Sequence, residues 1–168
     1  MDDEIAIEKC KNGDREAFRH LVERYQRQAL SHATVILGGR EDAPDAAQEA
    51  FIDAFRALKQ FDNSRPFYPW FYVLLRNRCF KISARKRETE SLDETVIVAP
   101  NSPAQSEDIH ALENALRSLD RDDREIVTLK YFDGLDYNEL AERLQIPKGT
   151  VMSRLFHARR KLQAKLER

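Results

Sequence analysis

The chain has 168 residues, 34% of them charged and 42% hydrophobic, with a formal net charge of −1. That length suits one ordinary domain or two small ones, and the composition is that of a globular chain, not a disordered one. No apolar run approaches a membrane span, the acidic start "MDDEIAIEK" is not a signal peptide, and the isolated Cys10 and Cys79 suggest neither a disulfide framework nor a C-x-x-C site, so a reducing cytoplasm is expected.

The elements read as helices almost throughout. "NGD" at 12–14 ends a short helix at Gly13 and starts another with Asp14 as N-cap. Phe18, Leu21, Val22 and Tyr25 follow at helical spacing, and Gly38-Gly39 stops that helix. Asp42 is expected to cap the next, with Pro44 in its first turn and a buried stripe of Ala47, Phe51, Ala54, Phe55 and Leu58. "FDNSRPFYP" reads as a loop, and a helix from Trp70 to about Arg87 follows.

Residues 88–107, "ETESLDETVIVAPNSPAQSE", have no Lys or Arg and two prolines, a linker composition in which "TVIV" is at most a lone strand. Four more helices are expected after it. Ile109, Leu112, Leu116 and Leu119 mark the first, and Asp120 caps the second, which ends at "DG". Asp136 and Glu139 form a capping box for the third, and the fourth starts near Lys148. The expected fold is all-α: two small helical domains, 1–87 and 108–168, joined by a flexible acidic linker at 88–107.

Charge is unevenly spread. Residues 61–90 carry 7 basic and 3 acidic side chains, and residues 148–168 carry 7 and 1. Between them, residues 91–147 hold 5 basic and 13 acidic. Two basic islands are the footprint of a polyanion partner, although two solvated helix faces would look the same by charge alone.

The second island has more to say. "YNELAERLQIPKGTVMSRLFHARRKL" is a short helix, a break and a longer basic helix, the helix-turn-helix plan. At 100° per residue, Val151, Leu155, Ala158, Leu162 and Leu166 form the core stripe. The opposite face holds Gly149, Ser153, Phe156, His157 and Arg160. An exposed ring between hydroxyl and basic groups suits a major groove: Phe156 can meet a thymine methyl while Ser153 and His157 reach base edges. Arg154, Arg159 and Lys161 flank this face, where phosphates would lie.

The first island interleaves Phe61, Phe67, Tyr68, Trp70, Phe71, Tyr72 and Phe80 with Arg65, Arg76, Arg78 and Lys81, a pattern that suits unstacked bases. Some of those rings, Phe71 first, belong to a core. Arg76, Phe80 and Arg87 fall on the side away from Phe67, Phe71, Leu74, Leu75 and Ile82.

Together the two islands resemble a known family. "DAPDAAQEAFIDAFRAL" looks like the polymerase-binding helix of bacterial sigma factors, with its D-x-x-Q-E/D-x-F pattern. "PFYPWFYVLLRN" is similar to that family's promoter-melting helix, and "LDYNELAERLQIPKGTVMSRLFHARRKL" to its C-terminal recognition pattern. A short chain with a bare linker resembles the extracytoplasmic-function (ECF) subgroup.

The resemblance implies a region 2-like domain at 1–87 and a region 4-like domain at 108–168. It implies core RNA polymerase binding through Asp45, Gln48, Glu49, Ile52 and Asp53. It implies capture and melting of the minus-10 element, as single-stranded DNA, through Asn63, Ser64, Arg65, Tyr72, Arg76, Asn77 and Phe80. It implies reading of the duplex minus-35 element through Lys148, Thr150, Met152, Ser153, Arg154, Phe156, His157, Arg159 and Arg160. The acidic linker would thread the polymerase's RNA channel. An anti-sigma factor is a further expected partner. Met152 and His157 depart from the family's usual Lys or Arg.

The expected molecule is a cytoplasmic monomer with no membrane insertion, no cofactor and no enzymatic activity of its own. Two rival readings differ from this. A free-standing helix-turn-helix regulator would dimerise on two half-sites, and the sequence shows no heptads for that. An enzyme would need a chemical motif, and no H-E-x-x-H, Walker loop, G-x-S-x-G or Cys/His cluster occurs.

Overall fold

The structure, a computed structural model, describes residues 2–90 and 107–167. All regular elements among them are helical. The chain divides into two compact units, Met1–Arg85 and Lys86–Arg168.

In the first unit, α1 (Asp3–Lys11) is capped by Asp2 and ends where Gly13 turns the chain at φ 103°. Asp14 then accepts from the amides of Glu16 and Ala17 and starts a 3-10 turn that runs directly into α2 (Phe18–Leu37). Gly38 closes α2 at φ 76°, a conformation that costs glycine nothing, and its amide reaches the Thr34 carbonyl. Asp42 occupies the N-cap position of α3 (Ala43–Ala57), but its side chain makes no capping bond there. Pro44 and the acidic Asp45 in the first turn set that start instead.

α2 and α3 pack closely against each other, and small residues permit it. Ala29 and Ala33 on α2, and Ala43, Ala46, Ala50 and Ala54 on α3, are all fully buried. The expected stripe of α3 holds at Ala47, Phe51, Ala54 and Leu58. It fails at Phe55, which is 37% exposed because its ring turns outward to the edge of Phe18, 5.1 Å between centroids.

α4 (Phe67–Glu90) starts three residues earlier than expected. Pro69 sits inside its first turn, where a missing N–H leaves no intrahelical bond broken. The aromatic residues that the sequence offered as a platform are mostly core. Phe61, Phe67, Tyr68, Phe71 and Tyr72 are buried. Phe71 stacks on Phe51 at 4.4 Å, and Tyr68 hydrogen-bonds Nδ1 of the buried His32 at 2.7 Å. At its far end α4 runs three residues into the segment of linker composition. Residues 91–106 of that segment, including "TVIV", lie outside the described residues.

The second unit contains α5 (Glu107–Ser118), α6 (Arg121–Tyr131), α7 (Tyr137–Leu144) and α8 (Lys148–Leu166). Asp120 caps α6 by accepting from the Asp123 amide at 2.9 Å. α6 is its central strut: every residue from Asp123 to Leu129 is buried, including Asp123, Arg124, Glu125 and Thr128. The Arg124 guanidinium donates to the Arg117 carbonyl at 3.3 Å, and desolvation pulls its pKa down. No apolar periodicity announces such a helix.

The capping box of α7 is present in full. Asp136 accepts from the Asn138 and Glu139 amides, and Glu139 accepts from the Asp136 amide at 2.7 Å. α7 ends at Gln145 in a left-handed conformation, φ 55°, a position where glycine is more usual. Leu140 and Leu144 on α7 and Val151, Leu155 and Ala158 on α8 are buried, which locks the helix-turn-helix. The α8 stripe thins at half-buried Leu162 and ends there, with Leu166 exposed by 47%.

Candidate nucleic-acid and docking interfaces

α8 buries one face and leaves the other to solvent. Phe156 is 57% exposed and Met152, one turn earlier, 53%. The Phe156 ring meets His157 edge-on at 5.4 Å, and the Arg160 guanidinium lies 5.8 Å from its centroid. An aromatic ring, an imidazole and a guanidinium thus form one exposed cluster. Lys148, Ser153 and Arg159 are also exposed, and Thr150 half so. The Ser153 hydroxyl is occupied locally, donating to the Thr150 carbonyl at 3.2 Å. Beyond its chain neighbours and its own helix backbone, nothing lies within 4 Å of where a Gly149 side chain would begin, so a partner can approach α8 closely there.

Two of the flanking cations are engaged inside the unit. Lys161 donates to Asp120 at 2.8 Å and to Asp123 at 2.5 Å, and these hydrogen bonds raise its pKa. Lys161 therefore has anions within its own unit, from the α6 cap Asp120 and from Asp123, which a phosphate would have to displace. Arg154 lies 3.8 Å from Asp122. A phosphate would have to draw it from that carboxylate.

In the first unit, the loop before α4 is a tight turn. The Asp62 carboxylate accepts from the Ser64 amide at 3.0 Å, and its carbonyl accepts from the Arg65 amide at 3.1 Å. Those amide and hydroxyl bonds from Ser64 lower the Asp62 pKa. Asn63, Ser64 and Arg65 are all exposed at its tip. Along α4, Asn77 is exposed and Arg76 lies over the Phe80 ring, 4.2 Å from guanidinium carbon to centroid. Tyr72 does not join them. Its ring is 1% exposed and meets the edge of His32 at 5.2 Å, so it is a core residue. Residue type and island membership pointed outward, but the 3.6-residue period turns it in.

On α3, Asp45, Gln48, Glu49 and Ile52 are exposed, Ile52 by 41%. Gln48 and Ile52 line an open apolar groove of about 900 Å³ between α2 and α3, with Phe18, Val22, Leu30 and Phe55. The family resemblance pointed to Gln48 and Ile52 but not to the groove, because five of its twelve lining residues come from α2. Asp53 and Glu49 are already paired. Arg78 of α4 holds Asp53 with both Nε and Nη2, the latter at 2.6 Å, and reaches Glu49 at 2.9 Å. These bonds hold the Asp53 carboxyl below its ordinary range. Among the described residues no group of side chains is arranged to hold a metal ion, and no helix is long and apolar enough to cross a membrane.

The comparisons with known proteins agree with this arrangement. The sigma-70 region 2 family pattern matches residues 21–89, and the sigma-70 region 4 pattern residues 109–162. The ECF RNA polymerase sigma-E factor of Escherichia coli (strain K12) is 34% identical, covering 99% of this chain and 95% of that protein. The RNA polymerase sigma-H factor of Pseudomonas aeruginosa is 33% identical over 98% of this chain and 94% of its own. Among solved structures, CnrH in complex with the cytosolic domain of CnrY is similar at TM-score 0.70 and 27% identity, over 98% of this chain and 97% of that one. Sigma factor RpoE of Bartonella quintana, solved with the anti-sigma factor NepR, shares the fold at TM-score 0.72 and 24% identity, over 89% and 96% of the two chains.

Two helical units carrying these two regions define a transcription initiation factor. The chain belongs to the ECF sigma factors of bacterial RNA polymerase, which direct the enzyme to promoters.

The Arg78 pair makes a pH-dependent contribution. Asp53 has a depressed folded pKa, so its share of stability is present above the unfolded value of about 3.9 and is lost as pH falls through the folded one. Arg78→Met should lower the urea midpoint at pH 7. The gap between variant and parent should shrink steadily below about pH 4 as the carboxylate protonates. A gap that stays constant down to pH 2 would show that the pair adds nothing.

Proposed function

We propose that this sigma factor docks on core polymerase through the outer face of α3, reads a duplex minus-35 element with α8, and opens the minus-10 element with α4 and the loop before it. The observation that carries the reading is the exposed cluster of Phe156, His157 and Arg160 on the face of α8 opposite its buried stripe. Phe156 and Met152, one turn apart, put two large apolar side chains side by side on an otherwise polar, basic face, the kind of exposed patch that marks an interaction site. A major groove offers that ring a thymine methyl, offers His157 and Arg160 base edges, and offers Arg159 and Lys148 phosphates.

In the docking part, Asp45, Gln48, Glu49, Ile52 and Asp53 meet the polymerase, with Ile52 and the adjoining groove supplying the apolar centre. In the melting part, Asn63, Ser64 and Arg65 hold a base extruded from the non-template strand, and Arg76, Asn77 and Phe80 line the path of that strand. Extrusion costs a few kcal/mol, which stacking and hydrogen bonds offset. The linker passes through the polymerase's RNA channel. The protein makes and breaks no covalent bond, acts in the cytoplasm as a free monomer before docking, needs no cofactor, and is held inactive by an anti-sigma factor.

Three measurements test the three parts. Ile52→Asp should abolish co-purification with core polymerase while helicity and melting temperature change little, and undiminished binding would sink the docking face. Replacing Arg76 and Phe80 together with Ala should leave docking intact and lower permanganate reactivity of promoter thymines. A pre-melted template should then restore transcription; without that rescue, melting is not their role. Finally, Phe156→Ala or His157→Ala should cost about 1–3 kcal/mol on the true minus-35 element and relax preference at one or two base pairs. Arg159→Ala should weaken all sequences alike and lower the salt slope by about 0.9. If Phe156→Ala leaves preference unchanged but lowers the melting temperature, the ring serves the fold.

A further inference from the structure

α1 has no part in the interfaces above, yet its last residue touches one of them. The Lys11 ammonium donates to the Phe61 carbonyl at 2.5 Å and to Asn63 Oδ1 at 2.7 Å, and lies 6.0 Å from the Phe61 ring centroid. These contacts join residues 50 and 52 positions apart in sequence. The other end of α1 is fixed as well. Asp3 accepts from Arg24 at 3.0 Å and from the Tyr25 hydroxyl, and the Tyr25 ring packs on Phe67 and Tyr68 at 5.6 and 5.1 Å. Ala6 and Ile7 bury the middle of the helix. α1 is therefore a strut between α2 and the loop at Phe61–Arg65.

The contact also settles which way a carboxamide points. Asn offers one oxygen acceptor and one NH2 donor, and an ammonium can only donate. Lys11 must meet the oxygen, so the Asn63 NH2 is left facing outward. Ser64 and Arg65 stand beside it. The exposed Asp62 carboxylate is engaged within the loop, accepting from the Ser64 amide at 3.0 Å and lying 3.8 Å from Arg65 Nε. The Asn63 NH2 thus adds a donor at the tip of the loop.

We propose that Lys11 is a positioning residue for base selection: it holds the Asn63 amide so that its NH2 meets a hydrogen-bond acceptor on the edge of an unstacked base. This rests on the reading of the loop as a base-holding element and adds to it the group that fixes its polarity. A freely rotating amide would offer donor or acceptor equally and select little. A pinned one rejects an edge that presents a donor at that point, because two donors would face each other.

The test uses holoenzyme reconstituted with core polymerase and a pool of single-stranded DNA randomised over six positions, with bound sequences counted. The wild type should show a base preference at a position that Lys11→Met flattens by about two- to tenfold, the worth of one hydrogen bond. Lys11→Arg should retain it. Asn63→Asp, an exposed and isosteric change, keeps the contact with Lys11 but turns an acceptor outward, and should shift the preference toward bases presenting a donor. Polymerase affinity and minus-35 duplex affinity should be unchanged in all three. If Lys11→Met and Asn63→Asp both keep the wild-type profile, Lys11 does not position the amide. If Lys11→Met loses polymerase and duplex binding as well, its role is structural and the proposal falls. If the wild type itself shows no preference at any position, the loop holds no base and the parent reading fails with it.

Discussion

The stack of Phe51 on Phe71, 4.4 Å between ring centroids, joins α3, the helix proposed to dock on the polymerase, to α4, the helix proposed to meet the open strand. Such a contact contributes about 0.5–1.5 kcal/mol beyond the area it buries. Its importance here lies in where it sits. Phe18 closes on Phe51 from α2, and Phe67 continues the stack along α4 at 5.8 Å. Above this core, Arg78 bridges the same two helices on the solvent side. A hydrophobic joint below and an ionic one above leave little freedom for α3 and α4 to slide. The proposed docking face on α3 and the proposed strand-facing side chains on α4 are thereby held in one register.

A second theme is how the protein divides its cations. Each basic helix carries more positive charge than it can offer to a nucleic acid, because internal carboxylates take a share. Arg78 is held by Asp53 and Glu49, Lys161 by Asp120 and Asp123, and Arg154 stands near Asp122. The exposed cations that remain on α8 are Lys148, Arg159, Arg160 and Lys165. Counting charges along a segment overstates its electrostatic reach, and pairing across helices corrects it.

Much of this was legible in the sequence. The Asp136–Glu139 capping box, Gly13 and Gly38, the Val151–Leu155–Ala158 stripe and the exposure of Phe156 all follow from local rules that the fold obeys. Features set by distant partners were not legible. Tyr72 carries a residue type that suits bases, but its partner His32 lies 40 positions back on α2 and claims it for the core. The pairing of Lys161 needs α6, and the orientation of Asn63 needs α1. α6 itself hides its central place because polar groups such as Glu125 and Arg124 are buried along with Ile126 and Leu129. The early start of α4 was masked by Pro69, which reads as a breaker yet is harmless in a first turn.

The chain's one tryptophan is Trp70. It is half-buried in the first turn of α4, against Phe61 at 4.7 Å and Phe67 at 5.7 Å. Phe61 is also the residue whose carbonyl receives Lys11. The intrinsic indole emission of the whole protein therefore originates beside one loop. A spectroscopist needs no attached dye to watch that loop: a change in its packing alters the fluorophore's surroundings, while events in the second unit contribute no indole signal of their own.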